Sequence, residues 1–155
     1  MNTETFGNQW FSVSFHWQDG MLVGTTLHPA LVPATAPCTP FGPSLKSLIA
    51  DFDRLTNDVW PDLPIDMRHL SPFTRTVLEY LRTDVPRGSW LSYGDLAKAC
   101  GSPRGARPVG TIMATNPWAL IIPCHRVLAS GGGIGGFGPG IALKRTLLRL
   151  EGVSQ

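Results

Sequence analysis

Leu120-Ile121-Ile122 runs directly into Pro123-Cys124-His125-Arg126-Val127. The apolar triplet favours burial and carries a thiol, an imidazole and a guanidinium in with it. Buried polar groups persist where each is paired, so a fold for this chain has to bring partners to this point. A thiol beside a basic group is also the setting that lowers a cysteine pKa below about 8.5 and makes a thiolate available. An isolated Cys-His pair is more often a structural core cysteine with a hydrogen-bonded histidine. The pentapeptide alone leaves both readings standing.

Charge narrows the choice. Residues 1–66 hold Lys46 and Arg54 against seven acids, a net of −5, while residues 67–155 hold eleven Lys and Arg against four acids, a net of +7. That asymmetry suggests a second half that meets a polyanion, or simply a solvated basic face. A chain of 155 residues can hold one core or two small lobes sharing an interface. Cys38, Cys100 and Cys124 are widely separated and odd in number, which argues against a disulfide framework. The cysteines and the scattered histidines lack metal-site spacing, so no metal is expected. No apolar run reaches membrane-spanning length and the start has no signal-peptide pattern, so the expectation is a cytoplasmic protein with no membrane partner.

Along the chain, Trp10–Trp17 and Met21–Leu27 flank Asp19-Gly20, the pattern of a β-hairpin. The Pro-, Ala- and Thr-rich stretch 28–43 reads as a loop or an irregular edge strand. Leu45, Leu48, Ile49, Phe52 and Leu55 make one apolar stripe, predicting a helix over about 44–56 with Ser44 as N-cap. Pro61 and Pro64 mark a connection, and a lobe boundary falls near residue 66. Ser71-Pro72 opens a helix to about Thr83. A helix ending near Gly101, a turn, and a short basic helix give a helix-turn-helix, with Arg104 and Arg107 expected on one face. Leu120–Ile122 is expected to be an apolar strand. The glycine-rich stretch 129–140 lacks the Lys-Ser/Thr of a phosphate loop and reads as a pocket wall. In the last helix Leu143, Leu147 and Leu150 are expected to pack inward, with Lys144, Arg145 and Arg149 outward. Glu151 at its end opposes the helix dipole, which implies a specific partner.

Pro-Cys-His-Arg-Val, preceded by Asn116-Pro117 and followed by a glycine-rich loop and Lys-x-x-Leu-Leu-x-x-Glu-Gly, resembles the O6-alkylguanine-DNA alkyltransferases over about Phe73–Gly152. The resemblance implies an α+β fold, with a small ribonuclease H-like amino-terminal β lobe (1–66) before a mostly helical, winged-helix-like domain (67–155). It implies stoichiometric transfer of an alkyl group, chiefly methyl, from O6 of guanine to Cys124, with no cofactor. Double-stranded DNA carrying alkylated bases would be the partner of a monomer, and cooperative binding stays open. His125, acting through a water, would be the base, oriented by Glu151; Asn116 would brace the segment and Tyr93 would protonate the leaving guanine. Arg107 would enter the duplex in place of the extruded nucleotide. Ala106, Pro108, Gly110, Arg104, Thr74, Ser92 and Arg126 would contact DNA. Met113, Pro123, Val127, Ser130, Phe137, Gly138 and Pro139 would line the pocket. Phe137 stands where members commonly carry Tyr, Gly138-Pro139 replaces more usual residues, and Pro108 is unusual beside Arg107. Two other readings use the same residues: a lesion-binding relative without catalysis, and a Cys-His hydrolase. Side chains that alternate along an extended segment would disfavour the direct Cys-His pairing a hydrolase needs.

Overall fold

Strand β2 (Ser12–Gln18) and β3 (Met21–His28) form the expected hairpin. Asp19 and Gly20 both take positive φ (50° and 77°), the backbone of a two-residue turn whose twist matches the strands. The computed structural model describes residues 1–154. It adds a third antiparallel strand, β1 (Asn2–Gly7), giving the order β1-β2-β3. Sequence patterning misses β1 because a core-facing position is filled by Glu4, which is fully buried. Its carboxylate accepts from Trp17 Nε1 at 2.9 Å, Cys38 N at 2.6 Å, Thr39 N at 2.8 Å and Thr39 Oγ1 at 2.9 Å. Four donors offset the loss of water. They also pin the proline-rich loop, which crosses the outer edge of β1 through paired bonds between Thr5 and Thr35.

Helix α1 covers Gly42–Ala50, followed by a single 3₁₀ turn at Phe52–Arg54. It starts earlier and ends sooner than predicted. Ser44 is not the cap: Phe41 is, without a side-chain bond, and Pro43 sits in the first turn, where no backbone N–H is needed. Leu45, Ile49 and Phe52 close over the sheet.

Helix α2 (Pro72–Asp84) begins as expected, with Ser71 Oγ accepting from Thr74 N at 3.2 Å. Strand β4 (Leu91–Ser92) leads into α3 (Tyr93–Ala99), whose N-cap is Ser92. Helix α4 (Ala106–Ala114) follows the turn at Gly101–Gly105 and packs against α3 and α2. Helix α5 (Ile141–Leu150) closes the fold. The architecture is α+β, a small β lobe joined to a helical domain.

The expected strand at Leu120–Ile122 does not form. The chain turns instead: Leu120 takes φ 79° and Ile122 N donates to Trp118 O at 2.9 Å. Cys124–Arg126 is then a 3₁₀ turn, not an extended segment. It leads into β5 (Val127–Leu128), which pairs in parallel with β4. Two residue pairs thus tie the cysteine segment to the start of α3.

One hydrophobic cluster runs through both halves, from Phe6, Phe15 and Leu45 to Val109, Ile122 and Leu147. Thr25 N donates to Pro117 O at 2.8 Å, Thr25 Oγ1 to Ala119 O at 2.7 Å, and Trp118 Nε1 to Leu22 O at 2.8 Å. These bonds seat β3 directly on the turn that precedes Cys124. No helix among the described residues is long and apolar enough to cross a membrane.

Replacing Glu4 by Ala strands the buried indole donor of Trp17 and the part-buried donors of Cys38 and Thr39. Glu4→Ala is expected to lower unfolding stability by about 2–4 kcal/mol, read from urea denaturation, as for other broken buried networks.

Candidate active site

The 3₁₀ turn of Cys124–Arg126 is almost wholly buried, and its three polar side chains find different solutions. Arg126 uses all five guanidinium N–H groups. Nε donates to Glu151 Oε1 at 2.8 Å and Nη2 to Glu151 Oε2 at 2.9 Å. Nη1 and Nη2 grip Asp58 at 2.8 Å each, and Nη1 also reaches Val85 O at 2.8 Å. Arg126 therefore cannot contact DNA as the resemblance implied, because it is 2% exposed and has no donor left.

His125 Nε2 lies 2.9 Å from Glu151 Oε2. Burial alone would raise the Glu151 carboxyl, but His125 and Arg126 more than offset this and hold it well below the usual carboxylate range. An ionised carboxylate only accepts, so the shared proton sits on Nε2. In the neutral form of the ring, Nδ1 is then the acceptor nitrogen. Nδ1 is the one buried side-chain nitrogen or oxygen among the described residues without a protein partner. Glu151 caps α5, where a carboxylate faces unsatisfied carbonyls. Arg87 relieves that clash, donating to Leu150 O at 3.1 Å with its guanidinium 4.0 Å from Glu151.

Cys124 is 6% exposed and reaches the floor of a cleft of about 710 Å³. Burial raises its thiol pKa, opposed by the nearby Asn116 side-chain amide and by the charge of Lys144. Asn116 holds the approach to Cys124 at both ends: Oδ1 accepts from Trp118 N at 3.0 Å and Nδ2 donates to Ile122 O at 2.9 Å. Tyr93 lines the same cleft, and its hydroxyl is pushed up by burial and then by the nearby Cys124. Consecutive residues of a 3₁₀ turn diverge by about 120°. Direct Cys124-His125 pairing is therefore disfavoured for a different reason than strand alternation.

Met113, Phe137, Gly138 and Pro139 line the cleft, and so does Gly110. Pro123, Val127 and Ser130 do not: Pro123 and Val127 are buried in the core, and Ser130 is exposed on a 3₁₀ turn of the glycine-rich loop. Arg107, Ala106 and Pro108 are exposed in the first turn of α4. Pro108 is compatible with that position, where its missing N–H costs nothing. Arg104 lies in the turn before the helix, so it does not share a helical face with Arg107. Thr74 is half-buried in the first turn of α2. Ser92 is buried with its hydroxyl accepting from Asp95 N at 3.0 Å, which makes it a helix cap and not a free DNA contact.

Lys144 overturns its expected outward position. It is fully buried, and Nζ donates to Val127 O at 2.8 Å and Gly136 O at 3.0 Å, with the Tyr93 ring centroid 5.9 Å away. Burial lowers its pKa to about 8, and the Cys124 thiolate opposes that shift. Its signal is present in spacing, since Lys144, Leu147, Leu148 and Glu151 follow i, i+3, i+4, i+7. Asp58, Arg87 and the cleft residues Thr25, Thr26, Leu27, Ala114 and Ala119 carry no comparable sign, whereas Gly136 belongs to the glycine-rich stretch expected as a pocket wall.

A buried cysteine opening on a cleft, served by a His-Glu-Arg network and flanked by a helix-turn-helix, defines a cysteine-centred α+β protein. A family model described as "6-O-methylguanine DNA methyltransferase, DNA binding domain" matches residues 72–153, and the chain belongs to that family. The methylated-DNA–protein-cysteine methyltransferase of Mycolicibacterium paratuberculosis is 43% identical over 90 residues, 58% of this chain and 53% of that protein. The human protein of the same name is 46% identical over 80 residues, 52% of this chain and 39% of that one. The chain thus matches about half the length, or less, of these curated relatives. The crystal structure of Mycobacterium tuberculosis OGT in complex with DNA superposes with a TM-score of 0.76 at 31% identity, covering 97% of this chain and 92% of that one.

Because Glu151 is held ionised in the fold, its contribution is complete above the ordinary carboxylate pKa of about 4.3 and is lost as pH falls below it. Unfolding stability should therefore drop on acidification from about pH 5. Glu151→Gln should be less stable at neutral pH and show a flatter acid limb, measured by denaturant titration at several pH values.

Proposed function

We propose that the protein repairs duplex DNA by moving an alkyl group, chiefly methyl, from O6 of guanine to Cys124, once per molecule. The single observation that carries this reading is the Cys124 sulfur on the cleft floor, beside a histidine whose Glu151-bonded side leaves Nδ1 free. Residues 67–155 form the catalytic unit, and the 1–66 lobe braces it. The exposed start of α4 suits a DNA contact: Ala106, Pro108 and Gly110 are small or compact enough for close approach in the minor groove, and Arg107 can fill the gap left by an extruded base.

With the base in the cleft, His125 takes the thiol proton at Nδ1 through a bridging water, and Glu151 balances the imidazolium. The thiolate attacks the alkyl carbon, the S–C bond forms, and the C–O6 bond breaks with its electron pair moving onto guanine. Tyr93, kept protonated by its raised pKa, supplies the proton that lets guanine leave neutral. Lys144 steadies the thiolate before attack and the tyrosinate after it. No cofactor enters this scheme. The same displacement is open to O4 of an alkylated thymine. The thioether product has no route back to thiol, which makes the reaction stoichiometric.

Intact mass after incubation with a duplex containing O6-methylguanine tests the proposal. One methyl gained on Cys124, and none in Cys124→Ala, is the expected outcome; binding without transfer would replace it with a lesion-binding role. Arg107→Ala should slow transfer from duplex more than from the free base. In single-turnover assays transfer should decline above about pH 8, as Lys144 loses its proton, and Lys144→Met should be slower without that decline.

A further inference from the structure

Part of the cleft lining comes from the amino-terminal lobe, at Thr25, Thr26 and Leu27 of β3. Three consecutive strand residues line a cleft together when the strand presents its edge, because side chains alone alternate between the two faces. The hydrogen bonds agree. β3 is the last strand of the sheet, and Thr25 N points away from β2 to reach Pro117 O at 2.8 Å. Residues two apart on a strand direct their N–H and C=O groups to the same side. Leu27 is paired in register with Val13 as Thr25 is with Phe15, so its N–H points to the same open edge. No protein acceptor meets it among the described residues. The edge is also held in place, since Thr25 Oγ1 is bonded to Ala119 O beside it.

The inference rests on alkyl transfer to Cys124, which sets the layout of the cleft. In a displacement, sulfur, carbon and O6 lie in line, so any further atoms of the alkyl group project sideways from that axis. The base belongs beside Tyr93, which protonates it. β3 lines the same cleft as Tyr93 and Cys124. At about 710 Å³ the cleft is in the range of sites for whole drug-sized ligands and exceeds what a base with a single methyl fills.

We propose that the open edge of β3 is a specificity element for the transferred group, with the Leu27 N–H donating to an oxygen on alkyl tails longer than methyl. An O6-(2-hydroxyethyl) group places such an oxygen on its terminal atom, and an O6-propyl group is its apolar isostere.

Single-turnover transfer from duplexes carrying O6-(2-hydroxyethyl)guanine and O6-propylguanine, read by intact mass, gives a rate ratio for the two groups. Each rate is normalised to reaction of the same lesion with a small thiolate in water. The protein should favour hydroxyethyl by roughly three- to tenfold, the worth of one hydrogen bond. Replacing the Leu27 amide by a backbone ester keeps the side chain, removes the N–H, and should bring the ratio to one. Leu27→Pro removes the same N–H and serves if the ester protein does not fold. Equal normalised rates in the unmodified protein, or a preference that survives loss of the N–H in either variant, would overturn the role of β3 while leaving alkyl transfer intact. Absence of transfer from O6-methylguanine in the same assay would instead overturn the alkyl-transfer reading itself.

Discussion

The Glu151 carboxylate is the contact on which the arrangement of the site depends. Bound to Arg126 by both oxygens and to His125 by one, it joins the end of α5 to the cysteine turn. Arg126 extends the link to Asp58 in the connection between the lobes and to Val85 after α2. Four separate stretches of chain therefore meet at one guanidinium. Buried ion pairs of this kind often add little net stability over apolar packing, because desolvating the charges nearly cancels their attraction. Their value here is positional, as two bidentate carboxylates hold the arginine plane and with it the backbone of the reactive turn.

The same network explains how one turn can hold a histidine with a defined proton. Glu151 stays ionised because His125 and Arg126 outweigh its burial, so the hydrogen between it and His125 belongs to Nε2. Lys144 has the complementary role about two helical turns earlier in α5. Its ammonium is fully buried against two carbonyls, close to both the thiol and the phenol. α5 thus presents a cation and an anion from a single face to the residues packed around Cys124, with Leu147 and Leu148 between them.

Much of this is legible in the chain. The hairpin turn, the Ser71 cap, the helix-turn-helix and the misfit of Glu151 at a helix end all follow from local rules of backbone geometry and periodicity. Failures cluster where a buried polar residue stands in an apolar position. Glu4 hides β1, and Lys144 reads as an outward residue because charged side chains are rarely buried unpaired. Arg126 reads as a DNA contact because a basic residue in a basic half invites it, whereas its five donors are all taken inside the protein. Leu120–Ile122 looks like a strand because periodicity cannot distinguish a buried strand from a buried turn.

The residues themselves supply the reactive groups and the elements that carry them: a thiol next to an imidazole, an acid at a helix end, a basic helix after a tight turn. Family membership, too, is written in residues 72–153. Which of those groups touch is a property of the folded chain alone. Glu151 reaching His125 across 26 positions, Asp58 reaching Arg126 across 68, and Thr25 reaching Ala119 across 94 are long-range contacts. Local propensity cannot specify them, because they arise when two lobes bury a common core and each stranded polar group must find a partner within reach.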